Sequence, residues 1–310
     1  MPRSRSAPLL GSPALQTHRA ARDILVLILQ QAIGSSTHLI AQHALQALLP
    51  AAALFWRGFF AAGAALGWLL WRNHLRRMLA LLSRSEKLRL LLLGVLAVPL
   101  NQWCFFTGVQ LTAAANASLF YALTPVWTLL LSWRLRQERL SAWKLGGIGL
   151  ALLGVGSVLT EKEFAFGAAH LTGNLLLLTA SLAWAAFTVL SQPLSLRYGA
   201  LPITAASMVA GWLSYMPLWL LLGAPLQLEH MSPTLWGELA YMGIITSGIG
   251  YLLWLIPLRH LETSKVAIFS TLQPVFTTLA AIPLFDFTLT LGFLLGGVLI
   301  LAGVVLTHSG

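Results

Sequence analysis

Apolar residues run in stretches of about twenty along the whole chain, each closed by a short polar connection. Ten such stretches can be drawn: 24–48, 52–71, 88–110, 114–133, 141–159, 172–194, 202–222, 236–258, 264–284 and 288–307. At 1.5 Å per residue, about 20 residues of helix match the ~30 Å hydrocarbon core of a bilayer. The ~10-residue alternating segments of a membrane β-barrel do not describe these stretches. Lipid offers backbone N–H and C=O groups no partner, so each stretch must satisfy its own, which a helix does. The expected fold class is an all-α membrane protein of ten transmembrane helices.

Composition agrees with that pattern. Of 310 residues, 57% are hydrophobic and 9% charged, against roughly 25% charged in an average soluble domain. Mean hydropathy is +0.79. The formal net charge of +10 would suggest a nucleic-acid partner in a soluble chain. Here the charge sits in the short connections and reads as a topology signal, so the expected partners are the lipid bilayer and a small-molecule solute, with no nucleic acid.

With the N-terminal segment in the cytoplasm, 17 of the 19 Lys and Arg fall on the cytoplasmic side, as the positive-inside rule requires. Lys162 alone falls outside, and Arg57 alone lies within a span. Both termini are then cytoplasmic, and Arg-, Ala- and Leu-rich usage suggests a bacterial inner (plasma) membrane. Residues 1–23, with Arg3, Arg5, Arg19 and Arg22 among three prolines, read as a disordered basic tail. The apolar segment after it is too long for a signal-peptide core and reads as a retained helix. The single cysteine, Cys104, excludes an intramolecular disulfide and a cysteine metal site.

The chain also repeats itself at a shift of 149 residues. Gly94 meets Gly243, Phe120 meets Phe269, and Leu123 meets Leu272. Pro125-Val126 meets Pro274-Val275, Thr128 meets Thr277, Gly147 meets Gly296, and Gly154-Val155 meets Gly303-Val304. The expected units are residues 24–160 and 171–308, with five spans each. Five is odd, so the second copy enters the membrane inverted. Inverted repeats recur in transporters, with the solute site near the midplane between the halves.

Residues 111–155, LTAAANASLFYALTPVWTLLLSWRLRQERLSAWKLGGIGLALLGV, resemble the EamA-type members of the drug/metabolite transporter (DMT) superfamily. So does their counterpart at 264–304, SKVAIFSTLQPVFTTLAAIPLFDFTLTLGFLLGGVLILAGV. The shared pattern is a small-residue helix start, Leu-x-Pro-Val, an acidic residue at the helix end and a Gly-rich fifth helix. Glu138 occupies the acidic position in the first copy, and Asp286 replaces the usual Glu in the second. FWRGFFAAG at 55–63 resembles the Arg-containing second helix. The first span departs from the family, being more polar and lacking the Trp-Gly pair. The resemblance implies a carrier, not an enzyme, needing no cofactor and exporting a metabolite such as an amino acid. Relatives that carry sugar phosphates or nucleotide sugars keep that alternative open, and a non-transporting membrane receptor or assembly subunit is the other alternative.

Candidate transport residues follow from polarity inside spans. Glycine and proline interrupt the third span at GVLAVPLN, 94–101, and the eighth at GIITSGIG, 243–250. Gly94, Pro99, Gly243, Gly248, Pro125 and Pro274 are thus candidate hinges, or positions where helices pack closely. Tyr121, Thr124, Thr128 and Ser132 share one helix face, mirrored by Ser270, Gln273 and Thr277. Gln31, Ser35, His38 and Gln42 form a similar face on the first span. Such stripes face either a neighbouring helix or a wet cavity. His38 is either a neutral, satisfied histidine or a proton relay.

Arg57 snorkels outward, holds an anionic group of the solute, or makes a structural contact. Asn101 closes the first interruption, and Trp103, Phe105, Tyr121, Trp184, Tyr251 and Trp254 supply rings near mid-depth. These rings stack a solute or fill helix interfaces. All nine acids fall in connections or near helix ends, which excludes a cation-coupled mechanism on a buried carboxylate and a divalent metal site. The candidate cavity set is therefore His38, Gln42, Arg57, Asn101, Tyr121, Thr124, Trp184, Tyr251 and Gln273.

Overall fold

The computed structural model describes residues 13–71, 80–112, 114–159, 170–285 and 291–309, and its regular structure within them is helical. Helix α1 covers Pro13–Ala44, α2 Pro50–Trp71 and α3 Arg84–Leu111. Helices α4 (Ala114–Ala122) and α5 (Thr124–Arg134) follow, then α6 (Ala142–Leu159), α7 (Leu171–Tyr198) and α8 (Ala200–Leu221). Helix α9 runs Pro233–Arg259, α10 Thr263–Ala267, α11 Gln273–Phe285 and α12 Leu291–Ser309. Six of them (α1, α2, α3, α7, α8 and α9) are long and apolar enough to cross a membrane. Shorter apolar stretches lie in α6 and α12.

The remaining two expected spans are broken at matching places. Between α4 and α5 the chain closes tight turns, with Leu123 N–H donating to Phe120 O and Val126 N–H to Leu123 O. Pro125 follows at the start of α5, where its missing N–H costs no helical bond. In the second half, residues Ile268–Leu272 wind as a 3-10 helix before α11, and Pro274 sits in the first turn of α11.

Helix α1 begins at Pro13, so residues 13–23, expected as disordered tail, are helical. Asp23 near its start is buried and pairs with His260 Nδ1 at 3.1 Å. At the opposite end His43 Nδ1 pairs with Glu238 at 2.8 Å. Helix α1 of the first half is thus joined at both ends to the α9 region of the second. Residues 1–12, and Asp286, Lys162, Glu161 and Glu163, lie outside the described residues.

Glycine contacts obey the 149-residue shift. A Cβ on Gly147 would fall 2.7 Å from Gly303 O, and one on Gly154 would fall 2.6 Å from Gly296 O. Gly147 and Gly296 are counterparts, as are Gly154 and Gly303. The counterparts of a touching pair therefore also touch each other, which is how contacts across a two-fold axis behave. Residue numbers rise along α6 as they fall along α12, so the pair is antiparallel. The outer faces of this pair expose Leu153, Leu295, Val298 and Val305. The same reciprocity holds elsewhere, since Gly94 abuts Ala210 of α8 while its counterpart Gly243 abuts Ala61, the counterpart of Ala210, on α2.

Gly303→Ala should destabilise the protein by about 1–3 kcal/mol, the cost of overpacking. Its Cβ would lie 2.5 Å from Gly147 O and 2.7 Å from Ala151 N. Both are backbone atoms, so the helices must part. Gly149→Ala on the same pair meets nothing within 4 Å and should be neutral. Thermal unfolding in detergent compares the two, and equal melting temperatures would contradict this packing.

Candidate functional site

Two helices widen where the sequence is interrupted. Residues Leu96–Gln102 of α3 and Tyr241–Ile249 of α9 are wound as π-helix. Pro99 removes one backbone donor within the first, and Gly243 and Gly248 lie in the second. A π turn carries an extra residue and re-aims the side chains around it, a device common at functional sites. Here Asn101, Gln102 and Thr246 turn into a cavity of about 70 Å³. Gln30, Gly34, Thr37 and His38 of α1 line a second side, and Arg57 of α2 a third. Phe105, Tyr121, Trp184, Tyr251 and Gln273 complete it.

Arg57 is buried, at 4% exposure, so it does not snorkel. Its Nε donates to Ser247 Oγ at 2.9 Å and its Nη2 to Thr246 Oγ1 at 3.3 Å. Thr246 donates its own proton to Met242 O at 2.7 Å, leaving oxygen lone pairs for the guanidinium. The Phe106 ring lies 5.5 Å from Arg57 Cζ. No carboxylate pairs with Arg57 or lines the cavity among the described residues. A guanidinium has five N–H donors, so three are left over for a guest.

The rest of the lining is held by amides. Asn101 Nδ2 donates to Tyr121 Oη at 2.6 Å and to Ala180 O at 2.8 Å. Gln102 Nε2 donates to Tyr251 Oη at 3.2 Å. Gln102 and Tyr251 are 149 residues apart, so counterparts of the repeat meet here and the cavity lies beside the two-fold. His38 Nε2 and Gln273 Oε1 are 3.2 Å apart. The His38 ring meets Phe105 edge-on at 5.4 Å and Tyr121 at 6.0 Å. Trp184 stacks on Phe187 at 5.4 Å and meets Tyr251 edge-on at 4.7 Å. The cavity therefore offers one fixed cation, a set of amides and an aromatic wall.

Seven of the nine expected cavity residues come together: His38, Arg57, Asn101, Tyr121, Trp184, Tyr251 and Gln273. Gln42 does not, because it is exposed near the end of α1 and borders a separate recess with Gln46 and Gln110. Thr124 does not either. The turn after Ala122 rotates α5 away from Tyr121, so Thr124 is buried outside the cavity. Ser132 of the same stripe bonds Thr263 Oγ1 at 2.6 Å across to α10. Gly94 and Gly243 lie at tight helix contacts, and Gly248 borders an apolar groove with Ala61 and Met208. Of the six rings expected at mid-depth, Trp103 lies outside the lining, and Trp254 is wholly buried, donating to Thr188 Oγ1 at 2.9 Å.

Gln30, Gly34, Thr37, Gln102 and Thr246 were not singled out from the sequence. The face of α1 that lines the cavity is 30/34/37/38, one residue off 31/35/38/42. Ser35 turns toward α11, where its Oγ reaches Gln273 O at 3.3 Å, and Gln31 is buried with its Nε2 donating to Gln30 Oε1 at 2.6 Å. Gln102 was available from the 149-residue shift, which pairs it with Tyr251.

A second polar cluster closes one end of the bundle. Glu138, in the connection after α5, accepts from the hydroxyls of Thr263 and Ser264, from Ser264 N–H at 3.0 Å and from Lys144 Nζ at 2.9 Å. Lys144 also reaches Glu262 at 2.9 Å. Burial pushes the Glu138 carboxyl up, but the donors from Ser264, Thr263 and Lys144 outweigh it and hold it below the usual carboxylate range. This cluster ties the start of α10 in the second half to the end of α5 in the first.

A model of the EamA-like transporter family matches the chain twice, over residues 22–160 and 171–309. An uncharacterized transporter of Archaeoglobus fulgidus is 27% identical, over 92% of this chain and 96% of its own length. The uncharacterized transporter YyaM of Bacillus subtilis is 26% identical, over 93% of this chain and 94% of its own. A probable amino-acid metabolite efflux pump of Salmonella typhimurium is 30% identical, over 71% of this chain and 77% of its own. A solved crystal structure superposes with a TM-score of 0.73 at 19% identity, covering 92% of this chain and 95% of that one. It shares the fold.

Proposed function

The chain belongs to the EamA-like transporter family, and from that premise we propose that it is an alternating-access exporter of a small metabolite such as an amino acid. Ten spans work as two inverted five-helix halves, 24–160 and 171–308, rocking about the cavity between them. Both termini face the cytoplasm of a bacterial inner membrane, since 17 of 19 Lys and Arg then fall on that side.

The observation that carries the cargo reading is Arg57, a buried guanidinium without a carboxylate partner among the described residues. Its free donors suit the carboxylate of a solute, bidentate in the manner Arg favours. The rings of Tyr121, Trp184 and Tyr251 suit an ammonium or an apolar side chain. The size favours a small cargo: at roughly 30 Å³ of liquid volume per water, 70 Å³ is small. A nucleotide sugar is several times larger, which favours the amino-acid-sized cargo over that alternative. The Salmonella relative described as a probable amino-acid metabolite efflux pump supports the same class.

Purified protein in proteoliposomes should give saturable flux of at least one member of a labelled amino-acid panel. His38→Ala, which opens the Gln273 contact, should lower that flux at least about tenfold, roughly 1.4 kcal/mol of binding or barrier. No saturable flux across the panel would sink the reading.

A further inference from the structure

We propose that the carrier is an exchanger, in which a solute carboxylate must accompany Arg57 in both directions; this rests on the carrier reading above. A carrier cycle has two reorientations, one loaded and one empty. In each the cavity is cut off from both aqueous phases. A buried charge in that state is costly unless paired. When loaded, the solute carboxylate pairs with Arg57. When empty, the guanidinium keeps only the Ser247 and Thr246 hydroxyls and the Phe106 ring face.

Nothing else on the lining offsets the charge. A transporter with an internal carboxylate would neutralise its own arginine, yet no carboxylate lines this cavity among the described residues. His38 is the other ionisable nitrogen base there, and protonating it adds positive charge. The Tyr121 and Tyr251 phenols face the same space and are neutral at physiological pH. The amides of Gln30, Asn101 and Gln273 are dipoles, weaker partners than an anion. The empty carrier therefore crosses slowly with its guanidinium unpaired, while the loaded carrier crosses with that guanidinium paired to the carboxylate. The chemical class required on the return leg is any small carboxylate that fits, not the same molecule.

The test uses the native protein in proteoliposomes. Uptake of labelled alanine and its nineteen proteinogenic companions, as a mixture, is measured into three vesicle sets. One is preloaded with the unlabelled mixture, one with the corresponding amino-acid amides, which lack the carboxylate, and one with buffer. Preloading with amino acids should raise the initial rate at least about tenfold over buffer, and preloading with amides should not. Equal rates into amino-acid-loaded and buffer-loaded vesicles would overturn exchange while leaving carriage intact. Stimulation by amides equal to that by amino acids would overturn the role given to the carboxylate. Absence of saturable uptake even into amino-acid-loaded vesicles would overturn the carrier reading, and exchange with it.

Discussion

Arg57→Gln is expected to lower carboxylate-solute transport by at least about thirtyfold while leaving the melting temperature unchanged or raised. The loss is the cost of truncating one side of a buried, hydrogen-bonded charge pair, about 2–5 kcal/mol. The stability follows from the other half of the same physics. In the empty protein the guanidinium is 4% exposed and bonded only to Ser247 and Thr246 hydroxyls. Removing an unpaired buried charge relieves a desolvation cost of several kcal/mol, against about 1 kcal/mol for each hydrogen bond lost. Arg57→Lys keeps the charge but not the planar fork, and should fall between. Flux assays and detergent melting curves measure the two quantities separately. A variant that loses stability and transport together would make Arg57 a structural residue instead.

Glu138→Ala should cost about 3–5 kcal/mol, because it removes one side of a buried ion pair and leaves the other charged. Lys144 is 2% exposed and would keep only Glu262. The hydroxyls of Thr263 and Ser264 and the Ser264 N–H would lose their acceptor as well. The same contacts dictate the acid response. The carboxyl is held below its ordinary value of 4.5 in the folded protein. Its contribution is therefore complete above about pH 4.5, the ordinary value, and is lost as pH falls through the lowered native value. Melting curves taken from neutral pH downward should drop more steeply for the native protein than for Glu138→Gln, which has no proton to take up. Parallel curves would show that the carboxylate charge contributes nothing there.

Most of the scaffold was legible in the sequence because lipid leaves few options. An apolar run of about twenty residues must be a helix, and six helices among the described residues are long and apolar enough to cross a membrane. Pro125 and Pro274 marked the breaks in the fourth and ninth spans, since a missing N–H is a property of the residue itself. The cavity set was legible where symmetry or chemistry singled residues out, as for Arg57, Asn101 and Tyr251. It was not legible where one residue of helical rotation decides. Each residue turns a helix by about 100°, so the apolar-polar pattern of α1 could not separate Gln30 and Thr37, which line the cavity, from Ser35, which bonds to α11.

The amino-acid sequence alone thus determined a bilayer-spanning helical protein that repeats at 149 residues, with Arg57 as the cation deep within a span. Those features depend on what each side chain is and where it stands in the chain. Tertiary packing decided whether Arg57 would reach outward or inward, and whether Glu138 would be a surface acid or the acceptor of four donors. Those outcomes depend on which atoms of distant segments arrive alongside. Ser247 and Thr246 came from a π turn nearly two hundred residues away, and no local pattern around Arg57 encodes them.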